Sequence, residues 1–343
     1  MLLFDDLFLK EHTIVSTGYT EVAEISASTE VMFNKWLLSG RVGNLKYLND
    51  KTRSYTLKNI KNYFPEFQSA LVFLFSYRKF KVVYDNFFLK KKNKVNIASF
   101  ALAFEGYDYH IYLKSKLQML AFNLIDRGYL SSKCEYKISL DASPVMEKDL
   151  AYRAGLGFFG KNSLLINPQH GSYVIIGTLL LSEKINDCNN KNKKQSKDCG
   201  DCRLCIDACP VRAIDVDNNK LIDARKCISA LTIEKTVITK KITAEAIAGN
   251  DSSIFGCEIC QQVCPYNHNK IDVETDFNFY YNKYPKIKLI TDWFLNEDSK
   301  KNIDKLQNLS VREFKKIFKD TSFERVGKEG VIRNLRRHHF DYL

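Results

Sequence analysis

Apolar and polar positions alternate along the first half of the chain in short blocks of different period. Residues 69–77, Ser-Ala-Leu-Val-Phe-Leu-Phe-Ser-Tyr, are apolar almost throughout and predict a buried strand. Residues 110–125 carry apolar side chains at helical spacing and predict an amphipathic helix that stops near Gly128. Residues 136–140 predict a strand ending at Asp141, and Pro144 forbids a helix until residues 147–154. The glycine-rich stretch 154–161 follows. A hairpin is predicted after it, formed by residues 163–166, a turn through Asn167-Pro-Gln-His-Gly171, and residues 172–181. This mixture without an internal repeat predicts an α/β (α+β) fold.

The pattern changes after residue 185. Residues 186–198 are rich in lysine and asparagine and mark a linker or surface loop. A cysteine-rich module runs from there to about Asn269. Aromatic-rich residues 277–293 and a basic helix pattern at 311–318 then close the chain, and residues 333–339 add positive charge. With 45% apolar and 13% aromatic residues in 343, the composition supports a sizeable core and excludes extensive disorder. The longest apolar segments, residues 69–77 and 173–181, are too short to cross a bilayer. The start, Met1-Leu-Leu-Phe-Asp-Asp, has acids where a secretory signal has bases, which predicts a cytoplasmic protein in which clustered cysteines mean metal. The net charge of +12 would draw a polyanion such as RNA. The lysine-rich stretches 90–94 and 191–194 read equally well as solvated loops.

Eight of the ten cysteines form two proline-terminated groups plus one residue between them. Cys199-x2-Cys202-x2-Cys205-x3-Cys209-Pro210 is the run that bacterial-type ferredoxins use for cubane iron–sulfur clusters. Cys257-x2-Cys260-x3-Cys264-Pro265 is the same run with Ile254 where its first cysteine would stand, and Cys227 supplies the missing thiolate. The cysteine before the proline crosses to the other cluster in two-cluster ferredoxins. One [4Fe-4S] cluster is therefore assigned to Cys199, Cys202, Cys205 and Cys264, and the other to Cys209, Cys227, Cys257 and Cys260. Zinc ribbons share the C-x2-C pairs but not the third cysteine and the closing proline. Cys134 and Cys188 are read as incidental thiols.

Two clusters make a one-electron wire, which calls for a second redox centre. Gly155-x-Gly157-x-x-Gly160 follows a helical stretch, and no strand-borne acid stands about twenty residues on, so it is not a dinucleotide site. Its glycines either let backbone approach a large flat ligand or turn the chain. Asp141, at the end of an apolar strand, is either a proton donor with a pKa raised by an apolar pocket or an N-cap for the helix that follows. Glu147 and Lys148 read as ordinary first-turn residues, and His110 as a ligand or a packed helix-start residue.

Residues 141–166, Asp-Ala-Ser-Pro-Val-Met-Glu-Lys-Asp-Leu-Ala-Tyr-Arg-Ala-Gly-Leu-Gly-Phe-Phe-Gly-Lys-Asn-Ser-Leu-Leu-Ile, closely resemble the signature of the epoxyqueuosine reductases. The likeness extends through Tyr107-Asp-Tyr-His110, Gly171-Ser172, both cysteine runs, residues 227–234, Gly256-Cys-Glu-Ile-Cys260 and residues 325–334. It implies a catalytic domain over residues 1–185 that holds cobalamin base-off, cycling between cob(II)alamin and cob(I)alamin. It also implies a ferredoxin-like domain with two [4Fe-4S] clusters over 186–270 and a basic helical closing segment over 271–343. Asp141 would be the proton donor. Arg53, Tyr107, Asp108, His110, Lys161, Asn162, Ser163, Leu165, Gly171, Ser172 and Ile176 would lie along the corrinoid. The implied reaction reduces epoxyqueuosine to queuosine at the wobble position of a tRNA with a GUN anticodon, in a monomer fed by a flavodoxin- or ferredoxin-type donor. The helical-repeat extension of some members is absent, which implies the core enzyme. Two other readings are a corrinoid enzyme akin to reductive dehalogenases, which generally carry an export signal this chain lacks, and a ferredoxin-like electron carrier with RNA affinity.

Overall fold

The computed structural model describes residues 9–10, 12–43, 45, 48, 50–91, 95–185, 197–215, 221–234, 253–269 and 271–337. Cys188, the lysine stretch 191–194, most of the 186–198 linker and the last six residues lie outside the described residues.

The first half is built on a four-stranded antiparallel sheet. Its elements begin with β1 (Ile14–Thr20), α1 (Ala27–Leu38), α2 (Lys51–Lys58), β2 (Ser69–Ser76), α3 (Arg78–Phe88), β3 (Asn96–Ile97) and α4 (Tyr109–Asp126). They continue with β4 (Tyr136–Ser139), α5 (Glu147–Arg153), β5 (Phe158–Phe159), β6 (Leu165–Ile166) and β7 (Val174–Leu181). The sheet order is β1-β2-β7-β4. Residues of β2 point alternately to opposite faces, as the pleat requires. Leu71, Phe73 and Phe75 pack with Leu113, Leu117 and Leu124 of α4, while Ala70, Val72 and Leu74 pack with Leu150 and Ala151 of α5. Helices on both faces explain why β2 reads as a continuous apolar run instead of an alternating one.

The predicted hairpin is not formed. β6 pairs with β5 instead (Phe158↔Ile166, Phe159↔Leu165), while β7 pairs with β2 along its whole length and with β4 over Thr178–Leu181. Residues 167–171 do turn, through a bridge between Asn167 and Gly171. Two glycines here are required by close packing. A Cβ at Gly157 would lie 2.5 Å from the Ile166 carbonyl oxygen, and one at Gly171 would lie 1.9 Å from Asn267 Oδ1.

The cysteine module contributes α6 (Leu204–Asp207), α7 (Ile228–Ile233), β8 (Ser253–Phe255) and α8 (Ile259–Gln262). β8 pairs in parallel with β3. The closing helices are α9 (Phe277–Lys283), α10 (Pro285–Ile290), α11 (Ser299–Asn308), α12 (Val311–Ile317) and α13 (Ser322–Arg336). They share one core with the first half and the module: Phe80, Tyr84, Ile97, Phe255, Phe294, Phe318 and Phe323 are all buried in it. Among the described residues, no helix is long and apolar enough to cross a membrane.

Candidate active site and cluster sites

The proline-terminated cysteine runs form short helical turns, α6 and α8, whose thiols face one another. Cys205 has Cys199, Cys264 and Cys202 as its neighbouring thiols, and Cys264 has Cys199 and Cys202. Cys260 lies nearest Cys257 and Cys227, with Cys205 and Cys209 also acting on it, and Cys227 is next to Cys209. The thiols thus gather in two neighbouring sets, with Cys205 close to both. A cavity of about 270 Å³ lies among Cys199, Cys202, Cys205 and Cys264. Asn162 lines it, 1% exposed. Its Oδ1 accepts from Leu164 N at 3.3 Å, while its buried Nδ2 has no hydrogen-bond partner. A polar group buried that way is costly unless something fills the cavity and accepts from it. Lys161 crosses to the same loop and donates to the Gly200 and Cys202 carbonyls at 2.7 and 2.9 Å.

A second cavity, of about 560 Å³, opens on the other side of residues 161–163. Its apolar wall includes Met32, Phe33 and Trp36 of α1, Leu57 of α2, Val145, Leu165 and Ile176. Ser26 and Thr29 hydroxyls donate to buried Asp149 at 2.5 and 2.7 Å, which docks α1 onto α5. Trp36 Nε1 donates to the Ile222 carbonyl at 2.7 Å and ties the cavity wall to the cysteine module.

Asp141 stands at the mouth of this cavity with its side chain 59% exposed. Tyr109 donates to Asp141 Oδ2 at 2.8 Å, and His110 Nε2 lies 3.5 Å from the same oxygen. His110 Nδ1 is 2.7 Å from Asp108 Oδ1, and Asp108 caps α4 by accepting from His110 N. Arg53 Nη2 meets the Ala142 and Ser143 carbonyls at 3.4 Å. On the buried side, Glu147 accepts from Asp141 N at 2.7 Å and from the Ser139 hydroxyl at 2.5 Å. Asp141 therefore caps nothing; its carboxyl faces the cavity.

The protonation pattern reverses the sequence expectation. Burial acts to raise the Asp141 pKa, but hydrogen bonds from His110 and Tyr109 and the charges of His110 and Arg325 outweigh it and hold the group at about 2. Burial opposes the charge on His110 as well, yet Asp108 and Asp141 lift its pKa to about 9. Glu147, buried and beside the Asp141 charge, is raised to about 8. Without a bound substrate the proton is held by His110, not by Asp141.

Of the residues implied to line a corrinoid, Arg53, Asp141, Ser163, Leu165, Ser172 and Ile176 line the larger cavity. Asp108 and His110 stand behind Asp141. Lys161 and Asn162 face the smaller cavity instead, because the turn at Ser163, with φ +60°, directs them toward the cysteine loop. Tyr107 lies under Lys286 Nζ, 4.9 Å from its ring centre, and Gly171 packs on Asn267. Neither of these two lines either of the two cavities. Tyr109, Glu147, Trp36 and Arg325 were missed. Only Tyr109 carried a usable signal, its place one residue before His110 at a helix start.

Two cysteine quartets beside an acid-bearing apolar cavity define an iron–sulfur oxidoreductase. The description "4Fe-4S double cluster binding domain" matches residues 198–267. An epoxyqueuosine reductase of Francisella cf. novicida (strain Fx1) is 32% identical over 307 residues, 88% of this chain and 77% of the relative. The chain belongs to the epoxyqueuosine reductase family. It shares its fold with the epoxyqueuosine reductase of Streptococcus thermophilus, with a TM-score of 0.69 and 23% identity over 96% of this chain and 78% of that one. A crystal structure of epoxyqueuosine reductase with a tRNA-Tyr epoxyqueuosine-modified stem loop matches with a TM-score of 0.67 and 23% identity, covering 96% and 78%.

Proposed function

We propose that this chain reduces epoxyqueuosine to queuosine at the wobble position of tRNA, as a cytoplasmic monomer fed with electrons by a flavodoxin- or ferredoxin-type donor. The carrying observation is the Tyr109–Asp141–His110 group at the mouth of a 560 Å³ cavity, one turn of chain away from a cysteine-lined cavity. Family membership and the +12 charge support a tRNA substrate.

The apolar wall of the larger cavity suits the face of a corrinoid, which Leu165, Ile176, Val145 and Ser163 would hold. Bound there, it would supply the two-electron reduction of the epoxide carbon–oxygen bond, while the clusters deliver electrons singly. Losing the epoxide oxygen as water and leaving an alkene takes two electrons and two protons. His110 holds the first proton, 3.5 Å from Asp141. A substrate seated in the cavity removes water from the Asp141 carboxylate and so raises its proton affinity. The proton then passes from His110 to Asp141, and from Asp141 to the departing oxygen, while Tyr109 orients the carboxyl. The second proton comes from solvent through the recharged His110.

The test is reconstitution with iron, sulfide and cobalamin, reduction, and mass spectrometry of nucleosides from epoxyqueuosine-containing tRNA. Loss of one oxygen from the modified base is expected. Protein that binds no cobalamin, or leaves the base unchanged when reduced, would overturn the reading.

A further inference from the structure

Asp141 sits in a backbone conformation that an L-residue adopts at a cost. Its φ is +58°, and the Ala142 N–H returns to the Leu140 carbonyl at 2.6 Å, which encloses Asp141 in a tight three-residue turn. Such a turn persists only where its surroundings hold it. Pro144 stiffens the chain beyond, but it makes no bond to the turn. On the solvent side Arg53 reaches the Ala142 and Ser143 carbonyls at 3.4 Å, long for a hydrogen bond. The short contacts come from beneath. Both oxygens of Glu147 lie 2.7 Å from the Asp141 N–H, and the Ser139 hydroxyl fixes one of them at 2.5 Å. Glu147 is itself rigid, buried in the first turn of α5, whose Leu150 and Ala151 are packed under the sheet.

We infer that Glu147 is a positioning residue that latches the Asp141 turn, so that the carboxyl meets Tyr109 and His110 on one side and the substrate cavity on the other. This rests on the proposed role of Asp141 and goes further by naming what holds it in place. Glu147 touches the backbone N–H of Asp141, not its carboxyl, and so acts through geometry. An ordinary first-turn acid would interact with the helix terminus and leave the preceding turn alone.

The test compares Glu147→Leu, Glu147→Gln and Asp141→Asn in reconstituted enzyme, by turnover and by hydrogen–deuterium exchange of residues 140–146. Glu147→Leu should lower kcat about a hundredfold, leave the KM for tRNA and the cluster and corrinoid spectra unchanged, and speed exchange in that segment. Glu147→Gln keeps one acceptor oxygen and should restore most of the rate and the slow exchange. Asp141→Asn should lose the rate while exchange stays slow. Should Glu147→Leu fail to assemble, Ser139→Ala, which frees Glu147 from its hydroxyl, should show a smaller rise in exchange. Exchange unchanged in whichever of these two variants folds, or full turnover in Glu147→Leu, would overturn the latch. Full turnover in Asp141→Asn would instead overturn the acid role, with the exchange of the Glu147 variants still deciding the latch.

Discussion

Between Cys199 and Cys209, four thiols are supplied by eleven consecutive residues, whereas the carboxyl of Asp141 takes its partners from positions as distant as Tyr109 and Arg325. In the cysteine module the chemistry is local. A cubane needs thiolates at fixed separations, and the spacing of one short turn, Cys199 to Cys205, supplies three of the four. Around Asp141 the residue types are generic and the chemistry comes from assembly. The same carboxyl would titrate high in an apolar pocket and titrates low beside His110 and Tyr109. Metal sites can thus be recognised in a run of letters, while the direction of a pKa shift needs neighbours that only the fold brings together.

The largest effects belong to the module, and they test whether its locality is complete. Cys264 is sequence-local to Cys260 but lies next to Cys199 and Cys202. Cys264→Ser should abolish turnover and cost about four irons. Adding Cys205→Ser should cost no more, whereas adding Cys257→Ser should remove all of about eight. Iron analysis with EPR decides the matter. If the Cys264/Cys257 pair lost only about four, the ligands would group by run, and the crossover would be wrong.

The acid turn should respond in the opposite way, losing rate without losing metal. Asp141→Asn is isosteric and still accepts from Tyr109, so both clusters and the corrinoid should remain while kcat falls by roughly a hundredfold or more. Iron loss in this variant would mean that the two regions are not separable.

The same contrast explains which parts of the fold were legible. The strand at residues 69–77 and the helix at 110–125 were recovered within a residue or two, because a buried strand and an amphipathic helix each leave a periodic trace. The hairpin failed because a strand can be claimed by more than one partner: β6 was taken by β5 just upstream, and β7 by β2 about a hundred positions earlier along its whole length. Glu147 was passed over as a helix-start acid, since nothing in its neighbourhood announces that Asp141 will turn back onto it. That the Lys161 and Asn162 side chains line the cysteine-lined cavity was likewise not legible, since it follows from the left-handed turn at Ser163.

The smallest expected effect isolates the His110 pairing, and it concerns stability. The ordinary histidine pKa of 6.5 is raised to about 9 in the folded protein by Asp108 and Asp141, against the opposing effect of burial. The folded state therefore binds this proton more tightly than the unfolded one, so its contribution is complete below pH 6.5 and disappears as pH rises through 9. At one pKa unit per 1.36 kcal/mol the contribution is about 3 kcal/mol. Glu147, raised to about 8, also favours the protonated folded state and adds a slope of the same sign, present in any variant that keeps it. Comparison of the wild type with His110→Gln cancels that slope. The stability advantage of the wild type should shrink by about 3 kcal/mol between pH 6.5 and 9 when unfolding is followed anaerobically on the holoprotein. An advantage independent of pH would mean that His110 is neutral in the folded state. The proton for the departing oxygen would then have to be held elsewhere, and Glu147, which lines the same cavity with its pKa raised to about 8, is the carboxyl placed to hold it.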